Sequence, residues 1–115
     1  MKRIEAIIRP YKQEQVLQAL AKIGSFGVTV REGLSSATEN LHSDLYQSAR
    51  QGLEGFELVP RRVLVMYVKD DQVDEVIKLI LSVAQTGKNG DGKIAVQPVE
   101  KLIRIRTGEE GDAAL

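Results

Sequence analysis

Residues 86–93 read T-G-K-N-G-D-G-K and separate a helical apolar pattern that ends near Ala84 from a strand-like run that begins at Ile94. The three glycines of this stretch allow the backbone to turn its amides toward a ligand, and its two lysines supply compact cations for phosphate. The stretch lacks the spacing of a Walker motif. Two interpretations therefore stand, an anion-binding loop and a plain polar turn between a helix and a strand.

Outward from this loop, the chain alternates between strand and helix patterns. Apolar residues recur every three or four positions in two segments, as on one face of an amphipathic helix. Alternating or continuous β-rich runs indicate the strands. The predicted order is strand 2–9, helix 12–23, strand 26–31, a long loop, strand 61–69, helix 73–84, a strand from 94 to 99 and a short strand candidate at 102–105.

This order repeats one βαβ-like unit within a single domain of 115 residues. Two such halves predict an α+β fold of the ferredoxin-like βαββαβ type, in which both helices cover one face of the sheet. The strands are too apolar to leave the other face in water. We therefore expect a homo-oligomer that buries sheet against sheet.

Composition excludes several classes of function. Sixteen basic and sixteen acidic residues balance, so no global field favours nucleic acid or an anionic membrane. The absence of cysteine excludes thiolate metal sites, and a single histidine, His42, excludes multi-histidine centres. No apolar run is long enough to span a membrane, and the N-terminus lacks the apolar region of a signal peptide. We expect a cytoplasmic protein without membrane insertion, with no metal site and no catalytic constellation.

The stretch R-I-R at 104–106 is the second candidate for anion binding. In a strand, Arg104 and Arg106 project from one face while Ile105 anchors the other. Two adjacent guanidinium groups repel each other unless an anion lies between them, and phosphate oxygens would satisfy both. The carboxylates of Glu109 and Glu110 could neutralise them instead. Both interpretations stay open from the residues alone.

Three stretches together resemble one known family. The stretches T-G-K-N-G-D-G-K-I and R-I-R-T-G-E-E-G-D-A-A-L look like the nucleotide-binding loops of the PII signal-transduction proteins. The opening K-R-I-E-A-I-I-R-P-Y-K looks like the first strand of that family. The resemblance spans residues 1–115 except about 33–60, and it implies a ferredoxin-like homotrimer that binds ATP or ADP in clefts between subunits.

Carried over by position, the resemblance implies contacts to an adenine nucleotide in a phosphate-binding B-loop at 86–93 and a C-terminal loop at 102–115. Thr29 matches the threonine whose hydroxyl reaches the adenine. Tyr67 lies where the family usually has a valine near the base. The residues implied to hold the phosphates are Gly90, Asp91, Gly92, Lys93, Arg104 and Arg106.

Residues 33–60 correspond to the T-loop, through which the family docks its partners, and here the chain departs from the family. The family's Gly-Phe-Gly-Arg-Gln is replaced by S-S-A-T-E at 35–39. The arginine that touches the terminal phosphate and the glutamine that helps to coordinate magnesium are both missing. Glu39 could still ligate a hard cation, but its charge would repel a dicarboxylate. We expect neither standard 2-oxoglutarate sensing nor the family's magnesium site, and AMP becomes a further candidate ligand.

Four more positions in or beside the T-loop carry expectations. Tyr46 matches the loop tyrosine that family members share, and Gln51 replaces the tyrosine that some members uridylylate, which excludes that modification. Phe56 and Tyr46 are candidates for partner docking, or plain apolar anchors of the loop. Arg61 replaces a lysine that pairs with 2-oxoglutarate, and an arginine there favours a planar effector anion such as bicarbonate.

The leading hypothesis is a non-enzymatic, trimeric sensor of adenine nucleotides. Its nucleotide state would select a T-loop conformation that a membrane transporter, a metabolic enzyme or a regulator reads, in nitrogen or inorganic-carbon metabolism. One alternative is a slow nucleotide hydrolase that uses the same cleft, with Glu39 as the carboxylate to test. Another is a purely structural trimeric module that binds no nucleotide.

Overall fold

The computed structural model describes residues 1–24, 26–36 and 58–115. Within these ranges the chain forms strands and helices in the predicted order, with short 3-10 turns before both helices. No helix in these ranges is long and apolar enough to cross a membrane. The elements are β1 (Lys2–Ile8), α1 (Gln13–Ile23), β2 (Thr29–Ser36), β3 (Leu58–Val68), α2 (Val73–Ala84) and β4 (Lys93–Pro98).

The four strands form one sheet in the order β2-β3-β1-β4, and every neighbouring pair is antiparallel. β1 lies in the centre, where Ile4 pairs with Met66 of β3 on one side and with Val96 of β4 on the other. Each helix connects two strands that are not neighbours in the sheet. This strand order and these connections are those of a ferredoxin-like sandwich. The predicted fold class is therefore confirmed.

One face of the sheet packs against the helices and forms the core. Alternate residues of β1 point to this face, which explains why Ile4, Ala6 and Ile8 are buried while their neighbours are only partly buried. Helices α1 and α2 turn their three-to-four-residue apolar stripes toward the strands. The buried members of the core are Ile4, Ala6, Ile8, Val16, Leu20, Leu64, Met66, Val68, Val76, Ile80 and Ala84.

The opposite face, here called the open face, carries the other set of alternate strand residues. Glu5 accepts a hydrogen bond from Arg3 at 2.9 Å and lies 3.9 Å from the guanidinium of Arg31, and Arg3 also donates to Gln97 at 3.0 Å. A charged network that joins β1, β2 and β4 therefore lies on this face beside the apolar Val65. The homo-oligomer stays a prediction.

The paired strands extend further than the sequence predicted. β2 begins at Thr29 instead of residue 26, and it continues to Ser36, where it pairs with Leu58. Residues 33–36 and 58–60, which were assigned to the T-loop, are thus strand residues. Backbone hydrogen bonds between strands do not require apolar side chains. The polar residues at these strand ends therefore carried no alternating pattern that would predict the extension.

Candidate functional site

The glycine loop, residues 86–93, joins α2 to the first residue of β4 and turns on three glycines. Gly87, Gly90 and Gly92 have φ angles of +81°, +95° and +100°, which side chains rarely adopt. At Gly92 the loop also touches β1, because an added Cβ would lie 1.7 Å from the carbonyl oxygen of Ile7. Only glycine fits at this position.

The carboxylate of Asp91 bonds inside the glycine loop. It accepts hydrogen bonds from the backbone amides of Thr86 and Gly87 at 2.8 and 2.9 Å, and from the Thr86 hydroxyl. It also accepts one from Nε of Arg9 at 3.2 Å. These bonds, led by that of the Thr86 hydroxyl, hold the pKa of Asp91 far below its ordinary value. The carboxylate therefore stays ionised and faces the loop's own donors.

Two guanidinium groups flank Gly90. The Nη2 atom of Arg61 lies 2.9 Å, and that of Arg9 3.4 Å, from the position that a Cβ of Gly90 would occupy. Arg9 is partly neutralised by Asp91, whereas among the described residues Arg61 donates to the carbonyl oxygen of Pro60, an uncharged acceptor. Two cations this close favour an anion at Gly90.

Arg9 is a site residue that the sequence did not predict. This residue follows the last residue of β1, at the opposite end of the chain from the glycine loop, and the antiparallel pairing of Ile7 with Lys93 brings the two together. The available signal was a basic residue at the end of the predicted strand 2–9, directly before Pro10. Nothing in the spacing along the chain links it to the loop.

A cavity of about 400 Å³ opens beside Gly90, between the glycine loop and the ends of β2 and β3. It brings together four of the predicted site residues, which come from two separate stretches of the chain. The two serines at the end of β2 add hydroxyl groups to a wall that carries cations and backbone amides. The lining residues are Ile7, Ser35, Ser36, Arg61, Gly90, Gly92 and Lys93.

Thr29 and Tyr67 lie at the other end of the sheet. Thr29 pairs with Val65, and Tyr67 is two residues further along β3 on the same open face, where it pairs with Arg3. Tyr67 is six residues from Arg61 on β3, a separation of about 20 Å in a strand. One protomer therefore does not bring the two residues predicted near the base to the cavity.

The C-terminal segment, residues 102–115, does not form the predicted strand at 102–105. Its described backbone makes a turn with one isolated bridge, between Ile103 and Glu110, and Gly108 donates to the carbonyl oxygen of Arg104 at 2.7 Å. Gly108 has a φ of +73°, which suits a turn better than a strand. The prediction that Ile105 anchors one face is also wrong within this chain, since its side chain is 99% exposed.

The two arginines of this segment have different surroundings. Arg104 donates to the Glu109 carboxylate at 3.3 Å and to the carbonyl oxygen of Leu115 at 2.6 Å. Neutralisation by Glu109, one of the two open interpretations, is thus observed for Arg104. Among the described residues, no hydrogen bond or ion pair involves Arg106, and none joins the C-terminal segment to the glycine loop.

The remaining candidates cannot be placed. Tyr46, Gln51 and Phe56, the predicted partner-docking residues, lie outside the described residues, as do Glu39 and His42. Their roles stay predictions.

The antiparallel sheet, the two helices on one face and the glycine-rich loop between the second helix and the fourth strand define a ferredoxin-like α+β domain. The family model of the nitrogen regulatory protein P-II matches residues 1–109. The chain is 44% identical, over the full length of both chains, to nitrogen regulatory protein P-II of Pasteurella multocida, to P-II 1 of Escherichia coli and to P-II of Klebsiella oxytoca. The chain belongs to the P-II family of signal-transduction regulators, which confirms the resemblance seen in its motifs.

Proposed function

We propose that this protein is a non-enzymatic sensor of adenine nucleotides, ATP, ADP or AMP, that regulates a partner protein through the segment between β2 and β3. The observation that carries the proposal is the cavity beside Gly90, where Arg61, Lys93 and the glycine-loop backbone meet. Membership of a family of nucleotide-binding regulators supports the same assignment.

The chemistry of the cavity suits a polyphosphate. Lys93 is the first residue of β4 and pairs with Ile7, so the strand fixes the direction of its side chain toward the open face. Arg61 lies across the cavity with only a carbonyl acceptor among the described residues. Phosphate oxygens would give both cations charge-assisted hydrogen bonds, and backbone amides of a glycine-rich turn would add further donors.

A complete site needs more than one subunit. The separation of Tyr67 and Thr29 from the cavity argues against one protomer supplying both ends of the site. We therefore assign the base contacts of Thr29 and Tyr67, and the phosphate contacts of Arg104 and Arg106, to a neighbouring subunit of a homotrimer. The nucleotide then lies in a cleft between subunits.

The position of the cavity couples the nucleotide to the partner-docking segment. Ser35 and Ser36 end β2 directly before residue 37, and Arg61 lies three residues after Leu58, the first residue of β3. A nucleotide that binds one arrangement of these strand ends better than another shifts the population of the segment between them. Tyr46, Gln51 and Phe56 would contact the partner, a transporter, enzyme or regulator in nitrogen metabolism.

The test is calorimetry with ATP and with ADP on a Lys93→Ala, Arg106→Ala double variant. Each substitution removes about one charge-assisted hydrogen bond, so together they should weaken binding by about 100-fold or more. Lys22→Ala, on an exposed position of α1, removes one positive charge far from the cavity and should bind as the parent protein does. Unchanged affinity of the double variant would refute the assignment, and release of phosphate from ATP in the same samples would refute the non-enzymatic role.

A further inference from the structure

Asp91 is the most heavily bonded side chain in the glycine loop. One of its oxygens accepts from the two amides of Thr86 and Gly87, and the other accepts from the Thr86 hydroxyl and from Arg9. A carboxylate offers about four acceptor positions. All of them are therefore taken by donors of the protein itself, and none is left for a ligand or a bound cation.

Arg9 ties this arrangement to the sheet. Its Nε donates to Asp91, and its Nη2 donates to the carbonyl oxygen of Asn89 at 2.7 Å. The side chain thus connects the end of β1 to two points of the glycine loop. It also compensates the charge of Asp91, which would otherwise repel an anion in the cavity.

We propose that Asp91, Thr86 and Arg9 form a clamp that gives the glycine loop its binding shape, and that Asp91 is a positioning residue instead of a phosphate ligand. A loop with three glycines loses much conformational freedom when it binds a ligand. The clamp removes that freedom before the ligand arrives, so that binding costs less. This inference rests on the proposed function, because the clamp is expected to act on nucleotide affinity.

Thr86 offers the cleanest test, since its hydroxyl bonds only within the glycine loop, where it donates to Asp91 and accepts from the amide of Lys88 at 3.2 Å. Thr86→Val removes the hydroxyl that bonds to Asp91, and we expect it to weaken ATP binding by about tenfold in calorimetry. Thr86→Ser keeps a hydroxyl at the same place and should bind ATP within about twofold of the parent protein. Thr86 is exposed and its hydroxyl bonds only within the loop, so both variants should remain folded, with at most a small fall in the unfolding temperature for Thr86→Val. Equal ATP affinity of the valine and serine variants would overturn the proposal.

A second measurement needs no nucleotide and separates the clamp from the proposed function. In the parent protein the amides of Thr86 and Gly87 donate to Asp91, so they should exchange hydrogen slowly. Asp91→Asn should speed their exchange by about tenfold, because the neutral amide is a weaker acceptor. If the parent protein bound no ATP but Asp91→Asn still caused this loss of protection, the proposed function would fail and the clamp would stand.

The same variants identify direct contact with the ligand. If Asp91→Asn abolished ATP binding while Thr86→Val left it unchanged and the exchange rates stayed equal, Asp91 would touch the nucleotide directly. That result would overturn its assignment as a positioning residue.

Discussion

The glycine loop and the C-terminal segment are the two regions to which the family resemblance assigns the phosphates, and their internal bonding differs. In the loop, the carboxylate of Asp91 accepts hydrogen bonds from backbone amides and from Arg9, and Lys93 lines the cavity opposite Arg61 of β3. In the C-terminal segment, Arg104 itself is engaged, by the carboxylate of Glu109. The glycine loop thus has Lys93 at a cavity, whereas the C-terminal segment has Arg104 paired with its own Glu109.

The two regions should therefore respond to different substitutions. The shape of the glycine loop depends on backbone angles and on close approach to β1, so steric changes should affect it most. The C-terminal segment lies on the surface of the chain, with Ile105 fully exposed. To bind a phosphate, Arg104 must leave the carboxylate of Glu109. Charge should therefore affect this segment most.

The largest effect is expected from Gly92→Ala. The new Cβ would lie 1.7 Å from the carbonyl oxygen of Ile7, so the loop or β1 must shift, and the φ of +100° adds strain. We expect the free energy of unfolding to fall by about 1–3 kcal/mol, measured by urea denaturation at fixed protein concentration. ATP binding should become undetectable in calorimetry, because the loop can no longer present its amides.

Gly87→Ala is the matched control for this steric effect. Gly87 also has a positive φ, but an added Cβ would meet nothing within 4 Å. Only the backbone strain remains, about 1 kcal/mol, and the loss of ATP affinity should be much smaller than for Gly92→Ala. Equal losses in the two variants would show that backbone strain, not contact with β1, controls the loop.

A smaller effect is expected from Glu109→Gln. This change removes the negative partner of Arg104, whose side chain is 33% exposed, and leaves the guanidinium available to a phosphate. We expect ATP to bind a few-fold more tightly, about 0.5–1 kcal/mol, the usual value of a partly exposed ion pair. Titration calorimetry at low ionic strength measures this gain, and salt should reduce it.

Glu110→Gln serves as the control for the loss of one acidic charge. Glu110 pairs with Lys101 at 3.3 Å and not with an arginine of the segment. Its replacement changes the net charge by the same amount but should leave ATP affinity unchanged. Tighter binding in both variants would point to general electrostatic attraction instead of the release of Arg104.

The sequence predicted those parts of the molecule whose signals are local. The alternation of Ile4, Ala6 and Ile8 identifies a strand with one buried face, and the helical stripes identify the elements that cover it. The glycine loop was also predicted, because its composition alone implies unusual backbone angles. Together these patterns suffice for the ferredoxin-like fold.

Features that depend on distant pairing or on bonds within a turn were not predicted. Arg9 enters the site only because β1 pairs with β4, which the spacing along the chain does not reveal. The strand predicted at 102–105 is wrong because Gly108 and the bond between the Arg104 carbonyl and the Gly108 amide favour a turn over an extended chain. Both failures concern the candidate site, where local pattern and actual structure diverge.

The smallest effect expected is the pH response of the glycine loop. The Thr86 hydroxyl, the loop amides and Arg9 lower the pKa of the Asp91 carboxyl below the ordinary aspartate value of about 3.9. Because the folded pKa is lowered, the stabilisation is complete above that ordinary value and is lost only as the pH falls through the lower, folded value. A carbon-13 NMR titration of the Asp91 carboxyl should therefore show it still ionised at about pH 4. Thr86→Val should raise the pKa of Asp91, because it removes the largest cause of the shift. If Asp91 titrated at the ordinary value in both the parent protein and Thr86→Val, the bonding described for the loop would be contradicted.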